Sequence, residues 1–191
     1  WVAVRVPDDC IAAHANQSRI HKFDLNDKDN CLYSSDVISF AREKGYFNGM
    51  NKDFSFADAY CPLDFSGLRA CEARVWSFYN MFSKTTGEAY LPYIQGKSKE
   101  PMPLYVKPDR KVSVRDIQQA MRDHYEGTPL DITNDMGAGA FQMPYRLSPL
   151  TFEVDGQEYF NERPISTQQS AFTFVAQMRS MMPDAIGGVL W

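Results

Sequence analysis

The stretch SGLRACEARVWSFYNMF, residues 66–82, carries the clearest structural signal in this sequence. Its apolar residues recur at steps of three and four, which places them on one face of a helix: Leu68, Cys71, Val75, Phe78 and Phe82. Ser66 is a candidate N-cap, and the polar residues SKTTGE after the stretch predict its end. The pattern therefore predicts an amphipathic helix that lies with one face against a core.

Strand patterns lie on both sides of this helix. Near the beginning, WVAVRV alternates, PDDC supplies turn residues and IAAHA follows, which predicts a hairpin with strands at 1–6 and 11–15. Near the end, TFEV and QEYF flank Asp155-Gly156, which predicts a type I′ hairpin over 151–160. The period-two pattern of SAFTFVAQM and the final AIGGVLW predict two last strands. Strands at both ends with helices between them, and no βαβ rhythm, predict an α+β fold.

Capping signals predict two further helices. Ser35 precedes DVISFAREK, and Gly45 follows it where a left-handed residue is favoured. Ser113 and Asp116 have the spacing of a capping box. The polar residues 16–30 and the proline-rich residues 96–111 predict loops, and the aromatic residues between 46 and 64 predict an irregular layer packed over a sheet.

Composition narrows the class of protein. The chain has 191 residues, a formal net charge of −4, 44% hydrophobic residues and 23% charged residues, which is typical of globular proteins. This length fits one large domain or two small ones, and we predict a single, partial domain over 1–191. The acidic balance and the absence of long basic runs argue against a nucleic-acid partner, and no apolar stretch is long enough for a bilayer. Both ends, WVAVRV and AIGGVLW, are apolar, so we expect the chain to be part of a longer fold.

The spacing of residues gives little support to a metal site or to a nucleotide-binding loop. The four cysteines show no CxxC pair, and His14 and His21 stand seven apart with no cysteine beside them, so no metal site is predicted. Gly137 and Gly139 lack the pattern of a nucleotide-binding loop. A metal-dependent hydrolase that uses His14 and His21 remains a minor alternative.

Two residues suggest a polar site. Asn16 directly follows a predicted strand, where its amide could donate to an oxyanion or simply stabilise its own turn. Arg74 lies on the flank of the apolar helix face, so its guanidinium must find a carboxylate or line a polar cavity. His124 and Thr128 stand close together after a predicted helix end, where His124 could also act as a cap.

Four motifs together resemble the dipeptidase A family, which are cysteine peptidases of the N-terminal-nucleophile (Ntn) hydrolase superfamily. They are AHANQSRI at 13–20, DFSGLRACEARVWSFYN at 64–80, MRDHYEGTPLD at 121–131 and ISTQQSAFTFVAQMRSMMPDAIGGVLW at 165–191. The resemblance implies a four-layer αββα sandwich with antiparallel sheets and hydrolysis of dipeptides. Separately, we expect no cofactor or metal. The partners that we expect are a dipeptide substrate, the N-terminal portion of the same protein and a second copy in a homo-oligomer.

The same resemblance implies roles for individual residues. Asn16 would be the oxyanion donor and Arg74 the arginine near the nucleophile, with Arg69 as the other candidate. From their position alone, and not from the resemblance, we also expect His124, Thr128 and Ser166 to line the substrate cleft. The family's nucleophile is an N-terminal cysteine, and this chain begins with Trp1. We therefore expect the cysteine on polypeptide that precedes this chain, and we expect the chain alone to be inactive.

An alternative from another class is a non-catalytic module that binds peptides or glycans. Aromatic residues make up 14% of the chain, which would suit an aromatic groove. A cysteine after a short leader upstream of this segment would favour the enzyme, and its absence would favour the module.

Overall fold

Short strands and helices follow one another along the chain, in two units that are described separately. The computed structural model describes residues 1–146, 151–160 and 162–191, and its two units are Trp1–Pro108 and Asp109–Trp191. The strands are β1 (Val2–Val4), β2 (Ile11–Ala12), β3 (Cys31–Tyr33), β4 (Tyr105–Val106), β5 (Thr151–Val154), β6 (Gln157–Phe160), β7 (Ala176–Met178) and β8 (Gly188–Leu190). The α-helices are α1 (Val37–Glu43), α2 (Phe56–Tyr60), α3 (Phe65–Gly67), α4 (Ala73–Phe82), α5 (Lys84–Ile94), α6 (Val114–Ala120) and α7 (Asp184–Gly187).

The strands of the first unit form two small antiparallel sheets. β1 pairs with β3, with Val4 opposite Cys31, and β2 pairs with β4, with Ile11 opposite Val106. The predicted hairpin between 1–6 and 11–15 is therefore wrong, although the Cys10 N–H does donate to the Pro7 carbonyl in the expected turn at 3.0 Å. Alternation identifies a strand but not its partner, and here both partners come from distant parts of the chain.

The strands of the second unit form two hairpins. In the β5–β6 hairpin, Asp155 and Gly156 have φ values of +53° and +77°, which confirms the predicted type I′ turn. β7 pairs with β8, and Val175 and Trp191 extend the pairing through two reciprocal backbone hydrogen bonds. Strand β7 is shorter than the nine-residue pattern predicts. Small antiparallel sheets together with helices agree with the α+β prediction.

The predicted central helix is present as a continuous helical run. It begins at α3, passes through a π-helical turn at Leu68–Glu72 and continues as α4. Its N-cap is Asp64, whose carboxylate accepts the Gly67 N–H at 2.6 Å, and not Ser66. Helix α5 follows directly and was not predicted. Its close packing on α4 is evident at Gly87, where an added Cβ atom would lie only 2.0 Å from the Asn80 Oδ1 atom.

Helix α1 organises the aromatic part of the first unit. Its buried residues, with Phe54, form a core that is surrounded by aromatic side chains: Phe23, Tyr33, Phe47, Phe56 and Tyr60. The predicted aromatic layer therefore exists, but it packs around a helix. The N-cap of α1 is Asp36 and not the predicted Ser35, and the Asp36 side chain makes no capping hydrogen bond. Gly45 has the expected left-handed φ of +73°.

The capping box of the second unit is confirmed in detail. Ser113 Oγ accepts the Asp116 N–H at 3.2 Å, and Asp116 Oδ2 accepts the Ser113 N–H at 2.8 Å, so α6 begins where the sequence predicts. Throughout the described residues, no helix has the length and apolar character that crossing a bilayer requires.

Candidate active site

Asn16 lies in the segment that leaves β2, and its backbone is left-handed. Its φ is +59°, a conformation that asparagine adopts more readily than most other residues, and the residue is exposed. Part of the reason for an asparagine here is therefore the turn itself. The side chain, however, does not bond to its own turn but to a residue 58 positions away.

That residue is Arg74, in the first turn of α4. Its Nη2 atom donates to Asn16 Oδ1 at 2.9 Å and lies 3.4 Å from the Ala15 carbonyl oxygen. Its Nε atom donates to the Ala70 carbonyl at 2.6 Å, which fixes the guanidinium along the helix. The structure thus brings together the two residues that the sequence assigns to catalysis. Arg69, the other candidate arginine, donates to the Ile94 carbonyl at 3.2 Å.

The contact with Arg74 determines how the Asn16 amide is turned. A guanidinium can only donate hydrogen bonds, so the atom that faces it must be the amide oxygen. The amide nitrogen is then directed elsewhere, and it donates no hydrogen bond to any described residue. Two N–H groups of Asn16 remain available to a ligand.

A cleft of about 540 Å³ includes Asn16 in its wall. Most of the remaining wall is apolar, and it comes from β1, β2, α2 and the residue before β4: Val2, Val4, Ala12, Phe56 and Leu104. A mainly apolar cleft with a few polar groups at its edge is typical of sites for small molecules. Asn16 is therefore a free hydrogen-bond donor at the edge of an apolar cleft.

A buried ion pair lies beside this site and was missed by the sequence analysis. Arg19 Nε donates to Glu72 Oε1 at 2.9 Å, and the two side chains are only 4% and 5% exposed. Arg19 also donates to the Tyr79 hydroxyl at 3.1 Å and to the Pro103 carbonyl at 3.0 Å. Burial raises the pKa of Glu72, although the attraction of Arg19 opposes that rise. The pair ties the segment that carries Asn16 to the helical run that carries Arg74.

The sequence did hold a signal for this pair. Glu72 stands between Cys71 and Ala73 in the amphipathic stretch, and Arg19 stands between Ser18 and Ile20 in a segment already singled out. A charged residue that is buried in a folded protein almost always has a partner of opposite charge. The position of Glu72 in the amphipathic stretch therefore predicts a cationic partner.

The other three predicted site residues lie in the second unit, around the turn after α6. The His124 ring Nδ1 atom lies 2.9 Å from Glu126 Oε1, and its buried Nε2 atom has no hydrogen-bond partner among the described residues. The Thr128 hydroxyl donates to the Tyr125 carbonyl at 2.7 Å. The Ser166 N–H donates to the Asp123 carbonyl at 3.0 Å, so all three residues belong to one neighbourhood.

Hydrogen bonds shape the electrostatics of this turn. Burial by itself would raise the pKa of Glu126. Hydrogen bonds from the His124 backbone, the Glu126 backbone and the His124 ring outweigh burial, and they hold the pKa below its ordinary value. The Thr128 hydroxyl is occupied within its own turn. These contacts stabilise the turn. They do not test whether the three residues line a substrate cleft, so that role stays a prediction.

His14 and His21 are the two residues of the alternative metal-dependent hydrolase. Among the described residues, no group of three or more His, Cys, Asp or Glu side chains is arranged to hold a metal ion. The His21 Nδ1 atom lies 3.2 Å from Ser55 Oγ and 3.3 Å from Asp58 Oδ1.

Comparison with known proteins assigns the class. The model of peptidase family C69 matches residues 1–191, so the chain belongs to this family of peptidases. Among curated proteins, the chain is similar to "Probable dipeptidase" of Salmonella dublin, with 30% identity over 189 residues. It is also similar to "Probable dipeptidase" of Latilactobacillus sakei, with 29% identity over 193 residues, and to "Dipeptidase A" of Lactobacillus helveticus, with 24% identity over 191 residues.

These matches cover nearly all of this chain but only part of each relative. They cover 99%, 100% and 100% of this chain but only 38%, 35% and 35% of the respective relatives. The chain therefore spans little more than a third of the length of the curated relatives it matches. The family resemblance that the four motifs predicted is confirmed.

Proposed function

We propose that this chain forms the oxyanion-stabilising part of a cysteine-type dipeptidase with a four-layer αββα Ntn fold. An N-terminal cysteine on polypeptide outside this chain attacks the carbonyl carbon of a dipeptide, and its own α-amino group accepts the thiol proton. The carbonyl π electrons move to the oxygen, which becomes the oxyanion. When the C–N bond breaks, the amine leaves with that proton, and water then hydrolyses the thioester.

The free amide nitrogen of Asn16 is the observation that carries this proposal. An oxyanion needs a fixed N–H donor that is directed at the place where charge develops. Arg74 occupies the oxygen of the Asn16 amide, so the amide cannot flip without losing that bond. The donor is thus held in position before the substrate arrives, which is the property that makes such a group catalytic.

Arg74 has two parts to play in this proposal. It holds the Asn16 amide, and its positive charge stabilises negative charge nearby, including the thiolate of the attacking cysteine. Its guanidinium is half-buried and anchored on the helix by the Ala70 carbonyl, so it is a rigid element of the site.

The apolar cleft supports the idea that further polypeptide completes the site. Its walls include valine side chains of β1, and the relatives contain well over half of their length outside the matched region. We place the cysteine-bearing segment and one side of the substrate against this cleft. On this proposal the isolated chain supplies oxyanion and cleft residues but no nucleophile, and it does not hydrolyse dipeptides.

The Asn16→Asp substitution in the full-length enzyme tests the role of Asn16. Aspartate keeps an oxygen for Arg74 and has nearly the same shape, but it removes the N–H donors and adds negative charge. We expect kcat for a dipeptide to fall by about 10²- to 10³-fold. Steady-state kinetics measure this change, and a thermal melt reports whether the fold is retained.

Two further variants sharpen the test. Asn26→Asp makes the same chemical change at an exposed position of the same loop, and it should leave kcat within about twofold of the parent. Asn16→Gly keeps the left-handed backbone and removes the amide, so it should be nearly as inactive as Asn16→Asp. If both Asn16 variants lose less than about tenfold in kcat, Asn16 serves only its turn and the proposal fails.

The non-catalytic binding module gains no comparable support. The aromatic residues that suggested a groove, including Phe54 and Tyr60, pack on one another and around α1. The family membership, in contrast, is that of peptidases.

A further inference from the structure

The residue that follows Asn16 is buried, although it is polar. Gln17 is only 6% exposed, and its Nε2 atom donates to the Cys61 carbonyl oxygen at 2.6 Å. Cys61 follows α2 and lies in the wall of the same cleft as Asn16. Burial of an amide is unfavourable unless the amide is hydrogen-bonded, so this contact fixes the position of the Gln17 side chain. Gln17 thereby connects Asn16 with another part of the cleft wall.

Gly67 leaves room for the Gln17 amide. A Cβ atom at Gly67 would lie only 2.7 Å from Gln17 Oε1, and this is the closest contact that a side chain at Gly67 would make. The backbone of Gly67 is helical, with a φ of −60° and a ψ of −41°, so its conformation does not require a glycine. The missing side chain at this position therefore serves the packing around Gln17.

The backbone of Asn16 needs support from its surroundings. Its φ of +59° lies in the left-handed region, which is unfavourable for residues other than glycine, although asparagine tolerates it better than most. Such a conformation persists where neighbouring contacts hold it. Arg74 holds the side chain of Asn16 through its Oδ1 atom, and Gln17 holds the peptide that follows Asn16. The two supports come from different parts of the chain, so Asn16 is fixed at its side chain and at its backbone.

We propose that Gln17 is a positioning residue for the reaction and that it acts through Asn16. By binding the Cys61 carbonyl, the Gln17 side chain keeps the Asn16 backbone left-handed. The Asn16 amide nitrogen then keeps its direction at the edge of the cleft. Gln17 needs no contact with the substrate for this role. The inference rests on the oxyanion role that is proposed above for Asn16.

Gln17→Met in the full-length enzyme tests this role. Methionine fills a similar volume but cannot donate to the Cys61 carbonyl. We expect kcat for a dipeptide to fall by about tenfold while KM stays within about twofold, because the proposed oxyanion donor is displaced and substrate binding is not. Gln95→Met, at a half-buried position outside the cleft wall, is the matched control and should leave kcat within about twofold of the parent. A folded Gln17→Met enzyme with the kcat of the parent would overturn the proposal.

A double variant shows whether Gln17 acts through Asn16. In the Asn16→Gly background the amide is already absent, so Gln17→Met should lower kcat by less than about twofold more. A residue that only maintains the fold would lower kcat by the same factor in both backgrounds. That outcome would also overturn the proposal.

Gly67→Ala displaces the Gln17 amide without replacing it. The added methyl group would lie 2.7 Å from Gln17 Oε1, so kcat should fall by about fivefold. In the Gln17→Ala background the space is free, and the same substitution should change kcat by less than about twofold. A folded Gly67→Ala enzyme with the kcat of the parent, or an equal loss in both backgrounds, would contradict the role of Gln17. The first of these outcomes can be read even if Gln17→Met does not fold.

The outcomes separate this inference from the proposed function. If Asn16→Asp and Asn16→Gly lose less than about tenfold in kcat, the oxyanion role fails and the role of Gln17 fails with it. If those variants lose their activity and Gln17→Met keeps the kcat of the parent, Asn16 stands as the donor and only the role of Gln17 fails. A loss of kcat in all three variants, together with its suppression in the double variant, supports both.

Discussion

The Asn16–Arg74 pair of the first unit and the His124–Glu126 turn of the second unit are built in opposite ways. Asn16 and Arg74 lie 58 residues apart, and they meet only because a loop and a helix pack together. His124 and Glu126 are two residues apart, and the turn that joins them makes its own hydrogen bonds. One arrangement depends on tertiary packing, whereas the other needs little beyond its own sequence.

This difference bears on which region is suited to chemistry. Most hydrogen-bonding groups of the turn bond to one another, as the Thr128 hydroxyl and both Glu126 carboxylate oxygens show. The Asn16 amide oxygen accepts a hydrogen bond from Arg74, whereas its nitrogen donates to no described residue. A group that is positioned from a distance and still has unused donors can act on a substrate. The comparison also predicts that the two regions respond differently to the loss of distant supports.

Glu72→Ala should produce the largest effect, because it leaves the Arg19 charge buried without a partner. We expect the first unit to lose about 3–5 kcal/mol of stability. Hydrogen–deuterium exchange of the full-length enzyme measures this locally. The amides of α4 should exchange much faster, while those of the turn at 123–128 keep their protection.

A paired substitution provides the control for this prediction. Arg19→Met together with Glu72→Leu removes both charges and retains apolar volume, so much of the lost protection in α4 should return. If the double variant is as unprotected as Glu72→Ala, the loss arises from packing and not from an unpaired charge. Faster exchange at the turn in either variant would contradict the independence of the two regions.

Local signals in the sequence predicted the elements whose determinants are local. The capping box at Ser113 and the Asp155-Gly156 turn are both as predicted, because each is decided by residues within four positions. The pairing of β1 with β3 was missed, since alternation along one strand carries no information about its partner. Helix α5 was missed because Gly87 and Pro92 weaken its helical pattern.

Arg74→Met should have the next largest effect, and it sharpens the comparison at the site itself. Methionine keeps much of the side-chain volume but cannot hold the Asn16 amide. We expect kcat to fall by about 10- to 100-fold, because the proposed oxyanion donor would lose the contact that holds it in position. Arg69→Met, in the same helical run, should change kcat by less than about threefold and serves as the matched control.

A double variant shows whether Arg74 acts through Asn16. In the Asn16→Gly background the amide is already absent, so Arg74→Met should lower kcat by less than about threefold more. A full additional loss would mean that Arg74 acts on the reacting groups independently, through its charge. Arg74→Lys adds to this distinction, because lysine keeps the charge but lacks the fork that bonds Asn16 and the Ala70 carbonyl together.

The site could be predicted only in part, for a related reason. Asn16 and Arg74 were found through motifs, and their contact agrees with a shared site. The Arg19–Glu72 pair was overlooked because each residue, taken alone in a polar or mixed segment, resembles a surface charge. Burial is a tertiary property, so the position of Glu72 in an amphipathic stretch suggests a cationic partner but does not identify it as Arg19.

Protonation of Glu126, in the turn of the second unit, should produce the smallest effect. The folded-state pKa of Glu126 lies below its ordinary value, against the influence of burial, because its hydrogen bonds favour the carboxylate. A carboxyl group with a lowered folded pKa binds protons more readily in the unfolded state. Its stabilising effect is therefore present above the unfolded pKa of about 4.3 and is lost as the pH falls through the folded pKa.

The His124 amide reports this titration directly, since it donates to Glu126 Oε2 at 2.6 Å. Its protection factor, measured by NMR after correction for intrinsic exchange, should fall by less than about tenfold between pH 6 and pH 3. Glu126→Gln removes the titrating group and should abolish the dependence. A rise in His124 protection on acidification would show that burial, and not hydrogen bonding, sets the charge state of Glu126.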